Sequence, residues 1–201
     1  MNIGLLVIGD EILSGKRQDR HLPKVIAMLA ERGLVLAYAR FIGDDLGAIA
    51  AAMRDGRAAG DLLLSCGGIG ATPDDCTRQA AAAAYGQSLQ RHPEGEALIV
   101  AEYGERAWPN RVLMADFPEG ARLIPNPVNR VAGFSLGNLH CVPGFPEMAW
   151  PMLAWVLDTH YPHLHHLAPQ VEYRLTPSDR VTSSSVSKGR RRRPRRPLPT
   201  F

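Results

Sequence analysis

Unbroken apolar runs of strand length alternate with helical periodicity through the first 86 residues, and this alternation constrains the chain more than any other feature. Ile3-Gly4-Leu5-Leu6-Val7-Ile8 has no polar interruption, as expected of a strand buried on both faces. His21 to Arg32 places Leu22, Val25, Ile26, Met28 and Leu29 at helical spacing, and Gly33 supplies the stop. Leu34 to Ile42 reads as a second strand, Asp45 to Ala59 as a second helix, and Asp61 to Ser65 as a third strand. An alanine-rich helix then runs to Tyr85 and ends at Gly86. Strands and helices in this order predict a three-layer α/β/α domain around a mostly parallel sheet.

The second half is less regular. Pro93 to Arg106 reads as a short helix, and Arg111 to Phe134, with three prolines, as loop edged by short strands. Phe134 to Val142 predicts a hairpin turning at Gly137-Asn138. The last amphipathic helix spans Glu147 to His160. It carries Met148, Trp150, Met152, Leu153, Trp155, Val156 and Leu157, more large apolar residues than one face of a surface helix needs, which predicts self-association.

Charge divides the chain. Seven basic residues and no acids lie between Lys188 and Arg196, whereas the 187 residues before them carry 16 basic and 20 acidic side chains. The domain is therefore mildly acidic, and the net charge of +3 belongs to the tail. Residues 1–168 are expected to form the domain. Residues 169–201, without apolar period, are expected to form a disordered basic tail. That tail offers charge to nucleic acid or to an acidic membrane, but no interleaved aromatics for stacking, and no such role is assigned to it. No apolar run has the length of a membrane span, and the start lacks the pattern of a signal peptide. Three cysteines without a CxxC pair argue against a disulfide framework, so a cytoplasmic setting with reduced thiols is expected.

Ser65-Cys66-Gly67-Gly68-Ile69-Gly70-Ala71-Thr72-Pro73-Asp74-Asp75-Cys76-Thr77 carries the chemistry. Glycines after a buried strand allow a sharp turn whose N–H groups approach a ligand closely, and the helix behind them adds the positive end of its dipole. Either Thr72 or Thr77 caps that helix. A side chain at Gly68 is expected to fill the space where the amides meet phosphate. A Walker loop is excluded because no Gly-Lys-Ser/Thr occurs, and a dinucleotide fingerprint because Pro73 stands where a third glycine is needed.

The loops after the first and second strands, Gly9 to Asp19 and Ile42 to Asp45, emerge at the same carboxyl edge, where open α/β sheets bind ligands. Asp44, Asp74 and Asp75 are thereby candidates to share one cleft with the glycine loop. Carboxylates beside a phosphate cradle repel the phosphate unless a divalent cation lies between them, and magnesium is the natural candidate. Asp45 reads as a helix cap, Asp44 as a functional residue.

These residues resemble a known family. GGIGATPDDCT is similar to the GGxGxTxxDxT signature of the molybdopterin-binding fold of MogA, MoaB, the gephyrin G domain and the CinA N-terminal domain. The finer resemblance is to CinA-type proteins. Gly9-Asp10-Glu11-Ile12-Leu13-Ser14-Gly15 resembles their GTELLLG segment, and Val142-Pro143-Gly144-Phe145-Pro146-Glu147-Met148 their LPGPPxEM turn, one residue short. Pro118 to Ala121, Ile124 to Pro127 and Ala132 to Phe134 follow their PxGA, LPNP and PGF blocks in order. The resemblance covers roughly Met1 to Leu167, with His92 to Phe117 shorter than in relatives.

The resemblance implies an oligomer that binds nucleotide or pterin phosphates. Asp44 and Asp75 become the catalytic acids, with Mg²⁺ on Asp44, Asp74 and Asp75. Ligand contacts fall to Gly67, Gly68, Gly70, Thr72, Pro143 and Gly144, and to Ser14, Gly15 and Asp19 by likeness to the molybdenum-cofactor branch. The chemistry implied is magnesium-dependent splitting of a nucleotide diphosphate such as ADP-ribose. A molybdopterin adenylyltransferase and a non-catalytic pterin- or nucleotide-binding module are the alternatives. Glu11, Asp74 and Asp75 are all candidates to activate water. The histidines from His160 to His166 read as a solvated helix end and not a zinc site, and Cys66 as a buried thiol.

Overall fold

The structure is a computed structural model, and it describes residues 1–165. The expected tail, 169–201, and His166 lie outside the described residues. In chain order the elements are β1 (Ile3–Ile8), α1 (Asp10–Leu13), α2 (His21–Ala30), β2 (Tyr38–Ile42), α3 (Leu46–Ala59), β3 (Leu62–Cys66) and α4 (Thr77–Tyr85). Then follow β4 (Leu89–Arg91), α5 (Pro93–Tyr103), β5 (Asp116–Pro118), β6 (Arg122–Ile124), β7 (Gly133–Leu136), β8 (Leu139–Val142) and α6 (Pro146–His160). One sheet runs β2-β1-β3-β8-β7-β6. The β1–β2, β1–β3 and β3–β8 pairs are parallel; β8–β7 and β7–β6 are antiparallel. The sheet is therefore mixed, with a parallel half that carries the ligand edge.

The apolar runs are unbroken because both faces of the sheet are covered. Leu5 and Val7 of β1 and Leu62, Leu64 and Cys66 of β3 pack with Val25 and Leu29 of α2 and Met152, Leu153 and Val156 of α6. The alternate residues Leu6, Ile8 and Leu63 turn to the other layer, against Ile49 and Met53 of α3 and Ala80, Ala81 and Ala84 of α4. Each fully buried leucine of this kind contributes roughly 1.5–3 kcal/mol of burial free energy. The α6 residues Met152, Leu153, Val156 and Leu157 are consumed by this core, and Trp150 and Trp155 are half-buried against it.

Two expectations shift. The second strand begins at Tyr38, not Leu34. Gly33 adopts φ +71°, and the Leu34 N–H donates to Leu29 O, so residues 33–34 close the end of α2 before the chain extends. Leu34 and Leu36 are apolar because they pack on the core, not because they pair in the sheet. The alanine-rich helix starts at Thr77, so neither threonine is its N-cap; that position falls to Cys76, with no side-chain cap bond. The hairpin forms as read, with Leu136 opposite Leu139 around Gly137-Asn138. Asp45 caps α3, its side chain accepting from the Ala48 N–H at 2.7 Å. No helix among the described residues is long and apolar enough to cross a membrane.

Candidate functional site

The parallel strands β1, β2, β3 and β8 deliver four loops to one edge of the sheet. After β3, the Gly67 N–H extends the ladder to Val142 O at 3.0 Å. Gly67 holds φ +108°, and a Cβ there would strike the Ile8 carbonyl, so only glycine lets the ends of β1 and β3 close together. Thr77 then fastens the loop from behind. Its N–H donates to Gly68 O and its hydroxyl to Gly67 O, both at 3.0 Å. Those bonds turn the carbonyls of the loop inward. The N–H groups of Gly68, Ile69, Gly70 and Ala71 have no acceptor among the described residues.

A Cβ on Gly68 would meet the Thr77 hydroxyl and Ile8, not the cleft. The expectation that a side chain there obstructs a ligand is thus corrected: it would lift the loop off α4.

A second set of bonds holds the acids. Asp44 accepts from the Asp10 N–H at 2.9 Å while Asp10 accepts from the Asp44 N–H at 3.2 Å, a reciprocal latch between the ends of β1 and β2. Burial, with Asp10, Glu11 and Asp74 nearby, pushes the Asp44 carboxyl above its ordinary pKa, although the hydrogen bond from the Asp10 backbone opposes the shift. One carboxylate oxygen of Asp75 accepts both the N–H and the hydroxyl of Thr72, and the same oxygen lies where a Cβ on Gly70 would sit.

These parts line one cleft of about 400 Å³. Glu11, Arg17, Asp44, Asp74 and Asp75 line it together with Gly67, Gly68, Gly70 and Thr72. Pro143 and Gly144 close one end, where the Gly144 carbonyl is bonded to the His21 ring at 3.1 Å. Apolar side chains line it as well: Tyr103, Met114, Val131, Phe145 and Met148. Apolar lining with a few polar groups among it is the composition of a small-molecule site.

The other residues singled out from the sequence are placed elsewhere. Ser14 lies in a neighbouring depression shared with Asp44 and Asp74. Gly15 is exposed and outside the cleft lining. Asp19 accepts from the N–H groups of His21 and Leu22, so its carboxylate is spent on the start of α2. Cys66 is buried, and burial pushes its thiol pKa up.

Sequence reasoning missed Tyr103 of α5 and Met114 of the segment Arg111–Ala115 in the apolar lining, and it missed Arg17 and Arg78. Arg17 sits 3.4 Å from Glu11 with its guanidinium over the Phe145 ring. The Lys16-Arg17 pair just after Gly15, in a loop leaving a buried strand, was the available signal.

The groups that could hold a divalent cation here are carboxylates. Asp44, Asp74 and Asp75 offer hard oxygen ligands around one cleft, and Thr72 orients the Asp75 carboxylate. Among the described residues, no three His, Cys, Asp or Glu side chains gather into a complete metal site. Mg²⁺ commonly takes one or two carboxylates and completes its shell with phosphate and water, so the set would hold it only together with a ligand.

Comparison with known proteins shows the family and the fold. The model of a family described as a probable molybdopterin binding domain matches residues 4–166. A CinA-like protein of Anaeromyxobacter dehalogenans is 34% identical over 165 residues, 78% of this chain and 40% of that protein. One from Geobacter metallireducens is 36% identical over 157 residues, 74% of this chain and 38% of that protein. The chain thus spans about two-fifths of the length of the curated relatives it matches.

Among solved structures, CinA of Thermoplasma acidophilum superposes with a TM-score of 0.72 at 30% identity, covering 79% of this chain and 98% of that one. MoaB of Thermus thermophilus superposes with a TM-score of 0.52 at 22% identity, over 81% and 93%, and supports the fold. The chain belongs to the molybdopterin-binding-domain family, and within it to the CinA-like proteins.

Proposed function

We propose that this chain binds a phosphorylated pterin or a nucleoside diphosphate derivative in the cleft, with Mg²⁺ between the ligand phosphates and Asp44, Asp74 and Asp75. We further propose that it splits the diphosphate of a substrate such as ADP-ribose. The observation that carries the reading is the run of four amides without acceptors among the described residues, in a cleft also lined by carboxylates and by Tyr103 and Phe145. The amides suit phosphate oxygens. The carboxylates alone would repel them, so the same site calls for a cation. Tyr103 and Phe145 offer surface for a planar ring.

Bound Mg²⁺ would supply charge neutralisation at the phosphates. The chain's own groups do the rest. The glycine loop holds the phosphate, Thr72 aims Asp75, and a carboxylate of the cleft takes the proton from the attacking water. In the cleavage, water oxygen bonds to one phosphorus and the bridging P–O bond breaks. The bridging oxygen leaves on the other phosphate, and the water proton passes to a carboxylate and then to solvent.

The test is calorimetry of wild type and Asp75→Asn with ADP-ribose across magnesium concentrations. Wild type should bind only with the metal, and at about a hundred times Kd the ligand should stabilise the fold by about 2.7 kcal/mol. Asp75→Asn should fold and lose the magnesium dependence. Identical binding and metal response in both proteins would make the acids structural and defeat the reading.

A further inference from the structure

Arg78 stands in the first turn of α4 with only 4% of its surface exposed. A cation is poorly placed there, against the positive end of the helix dipole, and burial lowers its pKa. Among the described residues, no carboxylate lies within ion-pair distance of it. The nearby Asp116 is instead bound to Arg91. Its Nε has no partner among the described residues, so the contacts that hold this buried cation are those of its two terminal nitrogens.

They reach two segments that line the cleft. Nη2 donates to Gly70 O at 2.6 Å, in the glycine loop. Nη1 donates to Leu113 O, in the Arg111–Ala115 segment that carries Met114 into the apolar lining. Fixing Gly70 O has a second consequence. In a planar trans peptide the carbonyl and the following N–H point in opposite directions. With Gly70 O drawn back to Arg78, the Ala71 N–H is turned the other way, and Ala71 lines the cleft with that amide free of any acceptor among the described residues. A charge-assisted bond to the carbonyl also polarises the peptide, which makes the N–H a stronger donor.

We propose that Arg78 is a positioning residue: its one guanidinium sets the spacing between the glycine loop and the Arg111–Ala115 segment and aims the Ala71 amide at the ligand phosphate. This rests on the reading of the cleft as a phosphate-ligand site. It adds that the pocket is assembled by a side chain that never touches the ligand.

Wild type, Arg78→Lys and Arg78→Met would be compared with ADP-ribose and Mg²⁺ by calorimetry, each well below its own unfolding temperature. Arg78→Met should bind at least tenfold more weakly while its far-UV spectrum stays native. Arg78→Lys, which keeps the charge and can satisfy one carbonyl, should lie between. Wild-type affinity in folded Arg78→Met would overturn the proposal. Should Arg78→Met fail to fold, the same criterion applies to Arg78→Lys.

A ligand-free measurement separates this inference from the reading it rests on. In amide NMR spectra of the variants, Gly70–Ala71 and Leu113–Met114 resonances should move together, although these pairs lie more than 40 residues apart in sequence. Shifts confined to α4 would sink the positioning role even if ADP-ribose binds. Failure of wild type to bind ADP-ribose, with the linked shifts present, would sink the ligand assignment and leave Arg78 as the bridge between the two segments.

Discussion

Replacing Thr77 by valine isolates the contact that pins the glycine loop to α4. The two side chains have nearly the same shape, so the packing at this fully buried position is preserved and only the hydroxyl is lost. That hydroxyl donates to Gly67 O at 3.0 Å, and Gly67 is itself buried. Without it the carbonyl has no donor, and an unsatisfied buried group of this kind costs about 1–3 kcal/mol. For a domain of this size each kcal/mol lowers Tm by about 2–4 °C. Thr77→Val should therefore melt roughly 2–12 °C below wild type.

Thr77→Ser is the control: it keeps the hydroxyl and loses a methyl, at about 0.5–1.5 kcal/mol by analogy with other single-methyl deletions. Urea unfolding followed by circular dichroism gives both values, with an unchanged m confirming that the denatured state is the same. The reasoning is refuted if Thr77→Val lies within about 0.5 kcal/mol of wild type while Thr77→Ser is the worse of the two. That order would mean the methyl, and not the hydrogen bond, holds the loop.

Two further outcomes follow from the same edge of the sheet. Asp45→Ala removes the α3 cap and should cost about 0.5–2 kcal/mol in chemical denaturation, whereas Asp45→Asn should recover most of it. Asp44→Asn should raise Tm at pH 7 in the absence of ligand. The folded pKa of Asp44 is raised by burial and neighbouring acids, so its ionisation opposes folding above the unfolded value of 3.8. The advantage should shrink as pH falls toward 3, where both side chains are neutral, and a constant Tm difference across that range would contradict it.

The parallel half of the fold was legible because each signal in it is local. An unbroken apolar run reports a strand covered on both faces, and alternation along β1 between the two helical layers is the reason none of its residues is polar. The glycine loop and its acids were legible for the same reason: turn chemistry and charge lie in one short segment. What stayed hidden depends on distant partners. Arg78 looks like a solvated cation in an alanine-rich helix, because the carbonyls it binds lie 8 and 35 residues away. Asp19 looks like a ligand residue in a polar loop, and only the placement of His21 and Leu22 makes it a cap. Leu34 and Leu36 satisfy a strand pattern, yet the closing turn of α2 uses the Leu34 N–H first. Tyr103 and Met114 of the apolar lining gave no such signal, since they pack on a small separate cluster around Ile99, Val112 and Ala115.

The far end of the sheet offers a test of how the fold responds to acid. His140, on β8, has 1% of its surface exposed. One ring nitrogen pairs with the Ser135 hydroxyl and the other with the Tyr161 hydroxyl, each at 2.8 Å. Both partners are neutral, so nothing compensates a charge on the ring. Burial, with smaller contributions from His160 and Arg122, pushes its pKa down to about 3 from an ordinary value of 6.5.

The sign follows from linkage. Below pH 6.5 the unfolded chain takes up a proton that the folded chain refuses, so stability falls with pH until the folded ring also titrates, near pH 3. At about 1.4 kcal/mol per pH unit, this one side chain should account for roughly 2 kcal/mol of loss between pH 6.5 and 5, and for on the order of 4–5 kcal/mol by pH 3. His140→Gln retains polar atoms for the two hydroxyls and cannot titrate. Any packing it loses lowers stability equally at all pH values, so the variant starts lower at pH 7 and declines less steeply. Denaturant midpoints from pH 7 to 4 for both proteins give the comparison directly. Parallel acid limbs would mean that His140 is protonated within the fold and that the Ser135–His140–Tyr161 chain is wrongly described as neutral.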